Sequence, residues 1–207
     1  MTYKKGSRGE MVRQIQKALA GAGLRVIVDG NFGPITEEAV KEFQKKKGIT
    51  QDGIVGPATL ALLIPARLRK SRRIINEIII HCTATPEGRE CSVDEIRQWH
   101  KARGFTDIGY HYVIHLDGRV EPGRNVDIAG AHCTGHNANS IGVVYVGGCA
   151  KDGKTPKDTR TEAQKSAIAN LLIDLRKLYP CAKIHGHRDF ANKACPSFDA
   201  TQEYRRF

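Results

Sequence analysis

Apolar runs are short in this sequence. Stretches such as residues 78–80 end after a few positions, whereas a membrane-spanning helix needs roughly 20, so no span is expected. The basic start, Met1-Thr2-Tyr3-Lys4-Lys5-Gly6-Ser7-Arg8-Gly9, is followed by no apolar h-region. That pattern is not a secretory signal peptide, and it predicts synthesis in the cytoplasm or export by a route not written there. The 21 glycines follow no Gly-X-Y period, which excludes a collagen-like chain. Also missing are the helical His-Glu-x-x-His signature and any zinc-finger, basic-zipper or RNA-recognition spacing. What remains is a chain of 207 residues, 40% hydrophobic and 27% charged. These values suit one or two globular domains and exclude a disordered tail.

The net charge of +11 is unevenly spread: residues 1–64 carry +4, residues 65–73 carry +5 with no acid, and residues 74–207 carry +2. A basic surface concentrates polyanions, here an anionic cell-wall surface or nucleic acid, and the missing recognition spacings argue against nucleic acid. The plain reading of residues 65–73 is a solvated linker that could reach roughly 30 Å when extended.

Two segments repeat at an interval of 23 residues: Asp29-Gly30-Asn31-Phe32-Gly33-Pro34-Ile35-Thr36 and Asp52-Gly53-Ile54-Val55-Gly56-Pro57-Ala58-Thr59. Each places an Asp-Gly turn before a Gly-Pro pair, and Pro suits the first position of a helix. Val12, Ile15, Leu19 and Ala22 form a helical stripe ahead of them. A three-helix unit over residues 1–64 follows. With Gly6, Gly9, Ala39, Val40, Phe43 and Gln44 added, the pattern resembles the three-helix peptidoglycan-binding module. That resemblance implies wall anchoring without catalysis.

The second region, residues 74–207, opens on Ile74-Ile75-Asn76-Glu77-Ile78-Ile79-Ile80-His81, a β-branched run that reads as a buried strand ending in a histidine. Capping boxes at Ser92-Val93-Asp94-Glu95 and Thr161-Glu162-Ala163-Gln164 start two helices, running to Gly104 and Tyr179. Residues 109–116, 141–146 and 183–187 read as further strands, the first closed by the hairpin pair Asp117-Gly118. The expected class is α/β, a mixed central sheet flanked by helices, behind the small three-helix domain. Zinc favours imidazole and thiolate, and a catalytic site uses three such ligands. His187 and Cys195, eight residues apart, could supply two and His81 a third, although spacing alone leaves this open.

Ordered blocks over residues 75–200 resemble the zinc-dependent N-acetylmuramoyl-L-alanine amidase type 2 family, which is related to the animal peptidoglycan recognition proteins. They include Ile80-His81-Cys82-x-Ala84-Thr85, Ile96-Arg97-x-Trp99-His100, Asp107-Ile108-Gly109-Tyr110-His111, Ala131-His132, Asn139-Ser140-Ile141-Gly142-Val143 and Lys193-Ala194-Cys195-Pro196-Ser197-Phe198-Asp199. The resemblance implies Zn2+ on His81, His187 and Cys195, catalytic roles for Tyr110 and Lys193, and substrate contact for His132 and Asn139. The implied reaction is hydrolysis of the amide between N-acetylmuramic acid and L-alanine by a zinc-activated water. The partner is then peptidoglycan and the site of action the cell wall. The missing signal peptide suggests a phage or prophage endolysin, with a host-encoded recycling enzyme as the alternative; the sequence leaves the oligomeric state open, with a monomer favoured. A non-catalytic recognition protein is the competing class, and a polyanion-binding regulator resting on the basic run is the third.

The other histidines read as follows. His185 and His187 would share one strand face, with His187 the ligand. His111 and His115 would take supporting or surface roles, and His100 and His136 structural or solvated ones. Trp99 reads as core. With one of the six cysteines implied as a ligand, the rest are expected as free thiols. Cys82 would point away from the face of His81, and a Cys82–Cys91 bridge stays open.

Overall fold

The computed structural model describes residues 2–64 and 68–207. The chain divides into two compact units, Met1–Ala66 and Arg67–Phe207. No helix among the described residues is long and apolar enough to cross a membrane.

The first unit has three helices, α1 (Glu10–Gly21), α2 (Pro34–Lys47) and α3 (Pro57–Leu63). Pro34 and Pro57 open their helices, where a missing N–H leaves no intrahelical bond unmade. Val12, Ile15 and Leu19 of α1 pack with Val40 and Phe43 of α2 and with Phe32, Val55 and Leu63. A buried glutamine organises each repeated loop. Gln16 Nε2 donates to Asp29 Oδ1 (2.8 Å), the Asn31 carbonyl (3.0 Å) and Thr36 Oγ1 (3.1 Å), and its Oε1 accepts the Gly30 N–H (2.7 Å). Gln44 makes the same set with Asp52 Oδ1 (2.7 Å), the Ile54 carbonyl (2.9 Å), Thr59 Oγ1 (3.2 Å) and the Gly53 N–H (2.9 Å). The structural repeat is therefore a helix together with the loop it holds.

The second unit contains β1 (Glu77–Cys82), β2 (Thr85–Pro86), α4 (Val93–Ala102), β3 (Tyr112–Ile114), β4 (Val120–Pro122), β5 (Ser140–Tyr145), β6 (Gly148–Cys149), α5 (Glu162–Leu178), β7 (Lys183–Gly186) and α6 (Ala200–Glu203). Five strands form one sheet in the order β4-β3-β5-β1-β7. All neighbours run parallel except the β3–β4 pair, so the sheet is mixed. Strands β2 and β6 form a separate two-stranded sheet. Alternation sends successive side chains to opposite faces. Ile78, Ile80, Ile141, Val143 and Tyr145 pack with Ile168, Leu171, Leu172 and Leu175 of α5. On the other face Val113 and Val144 pack with Val93 and Ile96 of α4. Each buried aliphatic side chain contributes about 1.5–3 kcal/mol of transfer free energy. Thr161 and Gln164 make the reciprocal box, whereas at Ser92 only half of it forms: Ser92 accepts the Glu95 N–H and the Glu95 carboxylate pairs with Arg89.

Three local expectations are corrected. The first strand starts at Glu77, and Ile74 is 78% exposed, because pairing with β5 and β7 begins only there. Strand β7 ends at Gly186, so His187 does not share a strand face with His185. The solvated linker over residues 65–73 is not what residues 68–73 form; residues 65–67 lie outside the described residues. Arg73 donates to the carbonyls of Val126 (2.9 Å), Asn137 (3.1 Å), Ala138 (2.9 Å) and Ser140 (3.1 Å). Ser71 Oγ donates to the Val126 carbonyl and its N–H to Tyr179 Oη, both at 2.6 Å. Arg69 and Arg72 pair with Asp127. The loop carbonyls need donors, and a guanidinium carries five N–H groups, so Arg73 docks on the loop while Lys70 and Arg72 stay exposed.

Candidate metal centre

His81 is the fifth residue of β1 and fully buried, near the strand's C-terminal end. His187 follows β7 directly, in a short 3-10 turn over His187–Asp189. The Asp189 carboxylate accepts the Gly186 N–H at 3.0 Å and fixes that turn. The loop carrying Cys195 is tied back by the Arg188 N–H to the Cys195 carbonyl (2.7 Å) and by Tyr145 Oη to the Pro196 carbonyl (2.7 Å). Adjacent parallel strands and one anchored loop thus bring three distant residues together. One ligand atom from each of His81, His187 and Cys195 lies within 4.8 Å of the others. His81 Nδ1 is 3.8 Å from Cys195 Sγ.

This donor set fits zinc. Bonds of about 2.0–2.1 Å to nitrogen and 2.3 Å to sulfur in a tetrahedron put the ligand atoms of a His-His-Cys set roughly 3.3–3.6 Å apart, slightly closer than the 3.8 Å between His81 Nδ1 and Cys195 Sγ. Burial, then the neighbouring His132 and His187, hold His81 well below the usual histidine range. Burial and the Lys193 charge lower His187 as well. Both imidazoles are therefore neutral near pH 7, the form that ligates. The Cys195 thiol is pushed far up by its hydrogen bond with the Cys82 sulfur and by burial. A divalent cation reverses that preference by stabilising thiolate, and the Cys82 N–H already points at Cys195 Sγ from 3.3 Å.

Tyr110 stands beside the triad, its ring centroid 5.1 Å from that of His81. Burial first, then the Cys195 and Cys82 sulfurs, raise its phenol well above the ordinary tyrosine value, so it keeps its proton. Lys193 is exposed on the loop before Cys195, close enough for its charge to act on both histidines. His132 is only 8% exposed, and its Nδ1 lies 3.0 Å from His81 Nε2. Asn139 precedes β5, at the sheet end away from His81, and its Nδ2 donates to the Ile74 carbonyl at 3.0 Å.

The remaining histidines also find partners. His100 and His111 are buried, and each Nδ1 accepts a backbone N–H, from Gly109 (2.8 Å) and Gly142 (2.9 Å) respectively. His115 is buried between Glu90 (2.9 Å) and Glu121 (3.0 Å), so a surface role is excluded. His136 meets Glu77 at 2.9 Å and stacks on Phe190 at 3.8 Å between centroids. Trp99 is half-buried beneath the Arg89 guanidinium. All six cysteines are free. Cys82 and Cys91 belong to cores on opposite faces of the sheet, which rules out their bridge. The His132–His81 contact and the Cys82 N–H to Cys195 had no signal in the sequence, since both depend on three-dimensional approach.

Residues 8–63 match a family of peptidoglycan binding domains, and residues 70–198 match the N-acetylmuramoyl-L-alanine amidase family. The chain is 45% identical over 128 residues to the endolysin of Klebsiella phage KP32, covering 62% of this chain and 84% of that protein. It is likewise 45% identical over 130 residues to the endolysin of Escherichia phage T7, covering 63% and 85%. Among solved structures, the amidase LysC from Clostridium intestinale is similar with 26% identity and a TM-score of 0.54, over 64% of this chain and 83% of that one. Wild-type Drosophila PGRP-LB is similar with 26% identity and a TM-score of 0.55, over 71% and 91%. The mixed sheet, the joined His-His-Cys triad and these matches agree: the chain belongs to the N-acetylmuramoyl-L-alanine amidase family and carries a peptidoglycan-binding module ahead of its amidase fold.

Proposed function

We propose that the chain is a zinc-dependent endolysin that cleaves the amide between N-acetylmuramic acid and the L-alanine of the stem peptide, acting on the cell wall. The single observation that carries this is the approach of His81, His187 and Cys195 within 4.8 Å in a chain of an amidase family. These three residues would hold the metal, two neutral imidazoles and one thiolate. Zinc bound there supplies a Lewis acid and a water of lowered pKa. Tyr110, kept protonated by burial, donates a hydrogen bond toward the reacting amide. The Lys193 ammonium faces the charge that develops on the amide oxygen, a preorganised electrostatic contribution. The three-helix unit holds the protein on the polymer while the second unit turns over. The non-catalytic recognition reading is disfavoured because all three ligands are present and converge.

The test is mass spectrometry of purified peptidoglycan fragments incubated with the full chain, with and without a zinc chelator. Chelator-sensitive release of stem peptides with a free L-alanine amine is expected. Intact fragments, with the protein still bound to peptidoglycan, would move it to a recognition role.

A further inference from the structure

We infer that His132 is a positioning residue for the metal centre: it fixes the tautomer of His81 through a relay that ends on Ser140. This rests on the zinc reading above. His81 turns Nδ1 toward Cys195 Sγ (3.8 Å) and Nε2 toward His132 Nδ1 (3.0 Å). A ligating Nδ1 carries no proton, so the proton of His81 sits on Nε2 and is donated to His132 Nδ1. His132 must then carry its own proton on Nε2, which lies 3.3 Å from Ser140 Oγ. Each step follows from the one before, and the hydroxyl at the end can accept. In metal sites the tautomer of a ligating histidine is set by the partner of its other nitrogen. Here that partner is a neutral imidazole rather than a carboxylate.

The surroundings of His132 are built to hold one ring pose. A Cβ at Gly130 would stand 2.3 Å from its Cδ2, and a Cβ at Gly142 2.5 Å from the same atom. The two glycines thus open the slot in which the ring stands edge-on to His81, at 80°. The backbone is fixed as well, with Asn137 Oδ1 accepting the N–H groups of His132 (2.8 Å) and Cys133 (3.0 Å). At 8% exposure His132 presents almost no surface to a polymer substrate. Its influence on turnover runs through His81.

Three forms of the full chain test this: wild type, His132→Leu, which cannot accept a hydrogen bond, and His132→Asn, whose Oδ1 can replace Nδ1. Zinc affinity is measured by competition with a chromophoric chelator. Histidine tautomers in the metal-free wild type are read by long-range proton–nitrogen NMR. The expected result is a proton on His81 Nε2 in the wild type and a loss of zinc affinity of about 10- to 100-fold in His132→Leu. His132→Asn should recover most of that loss, while KM for peptidoglycan fragments stays near wild type in both variants. Wild-type affinity in His132→Leu, or a His81 proton on Nδ1, overturns the inference alone. A wild type that binds no zinc overturns the metal reading and this inference with it. The tautomer measurement needs no variant, so it stands even if His132→Leu fails to fold.

Discussion

At the scale of single residues, chemistry at this centre depends on keeping the right protons in place. Lys193 touches no ligand atom, so Lys193→Ala should lower turnover by about 10²–10³-fold and leave zinc content unchanged, as metal analysis beside a fragment assay would show. Two supporting histidines make a pH prediction. His100 and His111 are lowered from 6.5 to about 4, chiefly by burial, and each is needed neutral to accept a backbone N–H. Between about pH 6.5 and 4 the unfolded chain binds protons that the folded one does not, so stability falls as pH falls. Melting temperatures across that window should decline, and His111→Asn, which keeps an acceptor without a titrating ring, should flatten the slope. His81, His187 and Cys195 were legible as chemistry-bearing residue types in family blocks. Their neighbours were not: nothing in the sequence around His132 separates a ring facing substrate from one facing His81.

At the scale of elements, the repeated loops of the N-terminal unit show how one side chain specifies a turn. Gln44 satisfies an N–H, a carbonyl, a hydroxyl and a carboxylate at once. Gln44→Leu strands those groups and should destabilise that unit by about 2–4 kcal/mol, read by its own unfolding transition, with Gln16→Leu giving a similar loss. The Asp-Gly and Gly-Pro pairs were visible in the sequence, as was Gln44, while the part played by Gln16 was not, because a helix residue says nothing of which loop lies against it. Helices were the better-read elements, since capping and periodicity are local. Strand ends were read less well: pairing with β5 and β7 decides where β1 starts, and β7 stops one residue before His187.

At the scale of the whole molecule, the boundary between the two units matters to stability. A chain starting at residue 74 loses the donors that Ser71 and Arg73 give to the loop over residues 126–140. We expect it to be less stable than one starting at residue 67 by about 2–4 kcal/mol, measured by denaturant unfolding of the two side by side. Equal stability would show that the docked segment adds nothing. The charge census read Arg73 as part of a solvated linker, because counting charge ignores which carbonyls a guanidinium meets.

Taken alone, the sequence determined the class of the fold, the two-part organisation, the principal helices, and the residue types able to bind zinc. These are properties of local periodicity, capping and ordered motifs, which survive without knowledge of contacts. Only the tertiary structure decided that His81, His187 and Cys195 meet, that His132 stands behind His81, and that Arg73 belongs to the second unit. Each of these depends on chain segments far apart in sequence being brought within hydrogen-bond range by parallel strand pairing and loop packing, and no local pattern encodes that distance.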